Sequence, residues 1–188
     1  IAMSSAGYSK PEEILRDADT AMYRAKGSGI SRYEVFDSAM HGEAMERLQL
    51  ENDLQHAVER GEFHLHYQPI IDLKSGEMEG VEALVRWDHS ERGSVSPSVF
   101  VPLAEEVGTI IPIGRQVLRM ACQQTALWQQ KYPRKRPLSV SVNISARQIQ
   151  GSAIVEDVRE ILEETKLPPS SLKLEITESL ILEDQRAA

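Results

Sequence analysis

Three oxygen-bearing side chains fall inside otherwise apolar strand patterns: Glu82 in "GVEALVRW", Asn143 in "LSVSVNIS" and Glu175 in "LKLEITES". Strand side chains alternate sides. Leu138, Val140, Val142 and Ile144 therefore share one face, and Ser139, Ser141, Asn143 and Ser145 the other. Likewise Leu172, Leu174 and Ile176 oppose Lys173, Glu175 and Thr177. A parallel strand covered by helices should be apolar on both faces, and these are not. All three residues are expected near the C-terminal ends of their strands, where α/β folds build their sites. Two carboxylates and a carboxamide oxygen are hard ligands suited to Mg²⁺, Mn²⁺ or Ca²⁺. The other reading is a satisfied polar layer inside a barrel.

Arg86 lies on Glu82's side of the same strand, with Leu84 between them. Its guanidinium can hold a phosphate in bidentate fashion at the rim, or it can pair with Glu82. Gln68 precedes Pro69, which suits an edge or a strand end. The Gln68 amide can read a nucleobase or cap the sheet. His64 and His66 stand two apart, a zinc-compatible spacing, yet no nearby Cys or third His joins them, and surface or barrel-bottom positions are expected. Cys122 is the single cysteine, which excludes an internal disulfide and fits a reducing cytosol. It reads as a plain core thiol.

The elements that must position these residues follow from periodicity. Residues 9–27 read as a helix with Ser9 as N-cap, Pro11 in the first turn and Gly27 as the stop, and Arg32–Phe36 has the alternation of a strand. Ala44–Arg60 reads as a charged amphipathic helix. From Gly61 onward, "EFHLHYQPII", a Ser75-Gly76 turn and "GVEALVRW" form a hairpin by sequence distance. Helices follow at 97–107 and 112–131, a strand at 137–145, a helix at 154–165 and a last strand from Leu172. This alternation is the rhythm of an α/β fold with parallel strands.

Composition narrows the partners. The 188 residues are 41% hydrophobic, enough for a packed core, and no apolar run is long enough to span a membrane. A formal net charge of −8 argues against binding a DNA or RNA polymer. An acidic chain still binds phosphates once its carboxylates recruit divalent cations. The opening "IAMSSAGYSK" suggests a start inside a domain, with no secretory signal.

The motifs "HYQPIIDLKSGEMEGVEALVRWDH", "SPSVFVPLAEEVGTIIPIGRQVL", "SVNIS" and "LEITES" resemble, in order and at matching spacing, the first half of the EAL domain family. The stretch "EEILRDADTAMYRAKGSGISRYEVFD" resembles the C-terminal end of a GGDEF, or diguanylate cyclase, domain. There Lys26 matches a phosphate-contacting lysine, but "GISR" departs from the usual continuation, so no cyclase activity is expected. The resemblance implies a GGDEF fragment over 1–37, a linker and connecting helix over 38–60, and half of an EAL domain over 61–188. The implied fold is an incomplete (β/α)₈ TIM-like barrel preceded by an α+β fragment. The implied activity is hydrolysis of cyclic di-GMP to pGpG, with two Mg²⁺ or Mn²⁺ ions activating water for in-line attack. By motif match Glu82, Asn143 and Glu175 are metal ligands, Glu178 is a supporting carboxylate, and Gln68, Leu84 and Arg86 contact the substrate. A later "DDFG" motif and a lysine complete the family's site, so the 188 residues alone are expected to be inactive. A cytoplasmic protein that pairs as a homodimer is implied for the whole. The alternative is a non-catalytic cyclic di-GMP receptor.

Overall fold

A hairpin starts the sheet. The structure, a computed structural model, describes residues 1–3, 8–27, 33–150 and 153–176. Strand β1 (Phe63–Ile71) pairs antiparallel with β2 (Met78–His89), setting Phe63 opposite Trp87 and Gln68 opposite Glu82. Asp72 builds the turn: its Oδ1 accepts the N–H groups of Ser75 and Lys74 at 2.9 and 2.8 Å, and Gly76 takes φ 71°. Those two backbone donors hold the Asp72 carboxyl below its ordinary range.

Beyond the hairpin, β3 (Gly93–Val95) folds back on the end of β2. Helices α3 (Pro97–Val107) and α4 (Ile110–Lys131) then carry the chain to β4 (Ser139–Ile144), which runs parallel to β2. The short α5 (Ala146–Gln150) and α6 (Ile154–Thr165) lead to β5 (Leu172–Ile176), parallel to β4. The sheet order is β1-β2-β4-β5, with β3 attached to β2. This is the expected mixed α/β plan, present among the described residues as an open five-stranded sheet. Gly80 lets β4 enter beside β2, since a Cβ there would lie 2.5 Å from Ser139 Oγ and 2.8 Å from its carbonyl oxygen.

One face of the sheet is closed by α3 and α4. Val81, Ala83 and Trp87 of β2 and Val140, Val142 and Ile144 of β4 are buried against Phe100, Leu103, Val117, Leu118 and Cys122. Phe63, Trp87 and Phe100 make a three-ring cluster with centroids 5.6 to 5.8 Å apart. Trp87 Nε1 donates to Glu62 Oε2 at 2.9 Å, which satisfies the one polar atom of that buried ring. Between the helices, Arg115 and Arg119 of α4 pair with Asp157 and Glu164 of α6 at 3.1 and 3.0 Å.

The chain divides into two units, residues 1–52 and 53–188. In the first, α1 (Pro11–Gly27) has its entry fixed by Glu13, whose carboxylate accepts the N–H groups of Ser9 and Lys10. Helix α2 (Ser38–Ala57) begins six residues before the expected Ala44 and crosses the boundary. The expected strand over 32–36 does not form across 33–37, and residue 32 lies outside the described residues. That segment alternates in burial, but a ladder needs a continuous partner. Here the Phe36 N–H donates to the Ile1 carbonyl at 2.8 Å and the Ile1 ammonium donates to the Glu34 carbonyl, and no strand forms in this segment among the described residues.

Candidate active site

The site is laid out on the sheet face opposite the helices. Glu82 lies in the middle of β2, not near the strand's end as the sequence suggests. The reason is that β2 outruns its parallel neighbour. Its ladder with β4 covers only Gly80–Ala83 against Ser139–Val142, and beyond it β2 pairs with β1 and β3 alone. Glu82 is therefore at the C-terminal end of the parallel part, as α/β sites require. Asn143 and Glu175 are near the ends of β4 and β5 and stand directly opposite each other in that ladder.

Asn143 Nδ2 donates to Glu82 Oε1 at 2.7 Å, which orients the amide and leaves its oxygen free for another partner. Glu82 is half-buried, while Asn143 and Glu175 are exposed. Lys173, on the same face as Glu175, is drawn away by Glu79 at 3.0 Å. The two carboxylates thus keep unneutralised oxygens beside a third oxygen donor, a set that fits a hard divalent cation. Among the described residues no group of three His, Cys, Asp or Glu could hold a metal, so the amide is needed to complete the trio.

Arg86 does not pair with Glu82. Its Nη1 donates to the Val85 carbonyl at 2.8 Å, and no ion pair joins the two residues. Leu84 and Arg86 line a cavity of about 170 Å³ with Asn143, Pro97, Val101 and Val117. Gln68 is exposed and sits directly across the hairpin from Glu82. Glu178 lies outside the described residues. The Cys122 thiol is buried and pushed up to about 11 by burial, which keeps it an unreactive core group. The Tyr67 phenol, edge-on to Trp128 at 4.7 Å, is pushed by burial to about 12.

Two features escape a reading of the sequence. His89 is buried, and its Nδ1 accepts the N–H groups of Glu91 and Arg92 at 3.1 and 3.2 Å. Its Nε2 lies 3.0 Å from Asp53 Oδ2, so the imidazole clamps the end of the strand that carries Glu82, Leu84 and Arg86. Nothing in the local pattern marks that role. His64 and His66 were expected on the surface or the barrel bottom. His66 is exposed and His64 partly so, as the surface reading has it, while the antiparallel register sets them opposite Leu84 and Arg86, at the C-terminal end of the sheet and not at the bottom. Counting back through the hairpin turn would have found this.

Similarity to known proteins agrees with the geometry. The diguanylate cyclase/cyclic di-GMP phosphodiesterase MucR of Pseudomonas aeruginosa is 43% identical over 176 residues, covering 94% of this chain and 25% of that protein. The cyclic di-GMP phosphodiesterase PdeR of Escherichia coli is 39% identical over 188 residues, covering 100% of this chain and 28% of that one. This chain thus spans about a quarter of the length of these relatives. The solved structure of the PaMucR phosphodiesterase in complex with c-di-GMP matches with a TM-score of 0.67 at 43% identity, covering 74% of this chain and 56% of that one. A profile of the EAL domain matches residues 51–188, and the chain belongs to the EAL domain family.

Proposed function

We propose that this chain carries half of the active site of a phosphodiesterase that hydrolyses cyclic di-GMP to pGpG. The observation that supports it best is the Asn143–Glu82 hydrogen bond with Glu175 opposite Asn143, a row of oxygen donors at the C-terminal end of the parallel strands. Glu82, Asn143 and Glu175 would hold Mg²⁺ or Mn²⁺, which supplies an activated water and charge stabilisation on the phosphodiester oxygens. The hydrogen bond from Asn143 fixes the Glu82 carboxylate in place before substrate arrives, so little reorganisation is left for the reaction. Arg86, on the same side of β2, holds a phosphate of the substrate by its guanidinium. Leu84 forms the wall between them, and Gln68 offers its amide to a base from across the hairpin. The motif match also makes Glu178 a supporting carboxylate.

The upstream segment, residues 1–37, is read as the end of a GGDEF domain, and the whole protein as a cytoplasmic homodimer. The 188 residues alone are expected to turn nothing over, because the family's later aspartates and lysine complete the site. The test is release of pGpG from cyclic di-GMP by the full-length protein with Mg²⁺. Turnover by wild type and none by Glu82→Ala supports the reading. Tight binding without turnover favours the receptor, and turnover by Glu82→Ala overturns the metal assignment.

A further inference from the structure

The open sheet face carries two imidazoles that the proposed mechanism leaves unused. Because β1 runs antiparallel to β2, the pairs Gln68–Glu82, His66–Leu84 and His64–Arg86 form successive rungs leading away from the oxygen row. Every second residue advances about 7 Å along a strand. His66 is therefore one rung beyond Glu82, within reach of a nucleoside whose phosphate is held there. The two rings are 5.2 Å apart and tilted by 58°. His64 is tethered, its Nδ1 lying 3.4 Å from Asp88 Oδ2. His66 is exposed and, among the described residues, makes no side-chain hydrogen bond or ion pair.

Zinc does not explain the pair, since among the described residues no group of three His, Cys, Asp or Glu, Asp88 included, could hold a metal ion. Packing on the helices does not explain it either, because Phe63 and Tyr67, the alternate residues of β1, meet Phe100 and Trp128, which leaves His64 and His66 on the other face. What remains is a flat, open aromatic surface beside an aliphatic side chain and an arginine. Nucleobases stack on such surfaces whatever their sequence, since every base has a π-face.

We propose that His66 is the stacking platform for one guanine base of the cyclic dinucleotide, and that His64, tethered by Asp88, is a positioning residue that holds the His66 ring. This rests on the phosphodiesterase reading above. The base lies against His66 while Arg86 holds its phosphate, beside the divalent cation that Glu82, Asn143 and Glu175 would bind.

The test uses the full-length protein with cyclic di-GMP and Mg²⁺, and compares KM and kcat for His66→Ala, His66→Phe, His66→Asn and His64→Ala, with melting temperature as the control for folding. His66→Ala should raise KM roughly tenfold or more, with kcat within about twofold of wild type. His66→Phe, which keeps a flat ring, should restore KM, and His66→Asn, which keeps only hydrogen-bonding capacity, should not. His64→Ala should raise KM less, and adding it to His66→Ala should change nothing further. Rescue by Asn but not by Phe overturns stacking in favour of a hydrogen bond, and wild-type KM in His66→Ala overturns any contact. A wild type that neither binds nor hydrolyses cyclic di-GMP instead brings down the reading beneath.

Discussion

The two faces of one sheet are made by alternate residues of the same strands, and they do opposite work. On the covered face, Val81, Ala83, Trp87, Val140 and Val142 are almost wholly removed from water and meet α3 and α4. On the other, Gln68, His66, Asn143 and Glu175 are exposed, and their polar atoms face outward with few partners of their own. Burial stabilises the first set, by about 25 cal/mol for each Å² of apolar surface. The second set contributes little to stability and keeps its oxygens available for a ligand. The difference teaches that the strands are apolar on one side to fold and polar on the other to react, so damage to each face should show in a different measurement.

The largest effect is expected from the open face. Glu82→Ala should cut turnover by the full-length protein about a thousandfold or more, since it removes a ligand and the anchor for Asn143. Its urea midpoint should stay close to wild type. A large loss of stability would break the division between the faces. The converse is Trp87→Ala, which empties the centre of the ring cluster and removes the indole donor to Glu62. It should lower stability by about 3–5 kcal/mol in urea unfolding while leaving kcat per folded molecule near wild type. A variant that stays stable but inactive would show that Trp87 serves the site.

How far this division can be read from sequence depends on the length of the signal. Asn143 and Glu175 were legible because serines, an asparagine and a glutamate recur at every second residue of strands that should be apolar throughout. The β1–β2 hairpin was legible because only a short polar turn separates two alternating runs. Strand β3 and helix α5, three and five residues long, carry too few side chains to show a period. Glu82's place relative to the site is set by where the parallel ladder with β4 stops, at Ala83, and an apolar pattern running on to Trp87 does not show that end. Residues 33–37 alternate like a strand, yet among the described residues they form no ladder, and a pattern cannot report a partner. For the histidines the surface reading holds and the barrel-bottom one does not, because an antiparallel neighbour reverses which of its ends is near the site.

A smaller effect would sharpen the account of the open face. In Asn143→Asp the donor at 2.7 Å from Glu82 becomes a second carboxylate. At pH 7 without divalent cations this should cost about 1 kcal/mol, because like charges replace a hydrogen bond near the surface. Mg²⁺ should recover the loss, since the cation neutralises the added charge. A melting-temperature titration with Mg²⁺ checks this, and an uncorrected loss would mean that the row does not hold a cation.

The smallest effect belongs to the covered face and appears only in alkali. Burial raises the Cys122 thiol from 9.0 to about 11, and the Tyr67 phenol from 10.0 to about 12. Both groups are neutral when protonated, so the fold favours the protonated forms. The unfolded chain loses these protons first as pH rises, and stability falls wherever the folded state binds more protons. The contribution is full below about pH 9. It should decline between about 9 and 11 for Cys122 and between about 10 and 12 for Tyr67. Cys122→Ala should remove the earlier part of the decline and Tyr67→Phe the later part, read as urea midpoints at pH 8, 10 and 11. An alkaline decline that survives both substitutions would place the titrating groups elsewhere and separate this face's stability from its buried ionisable side chains.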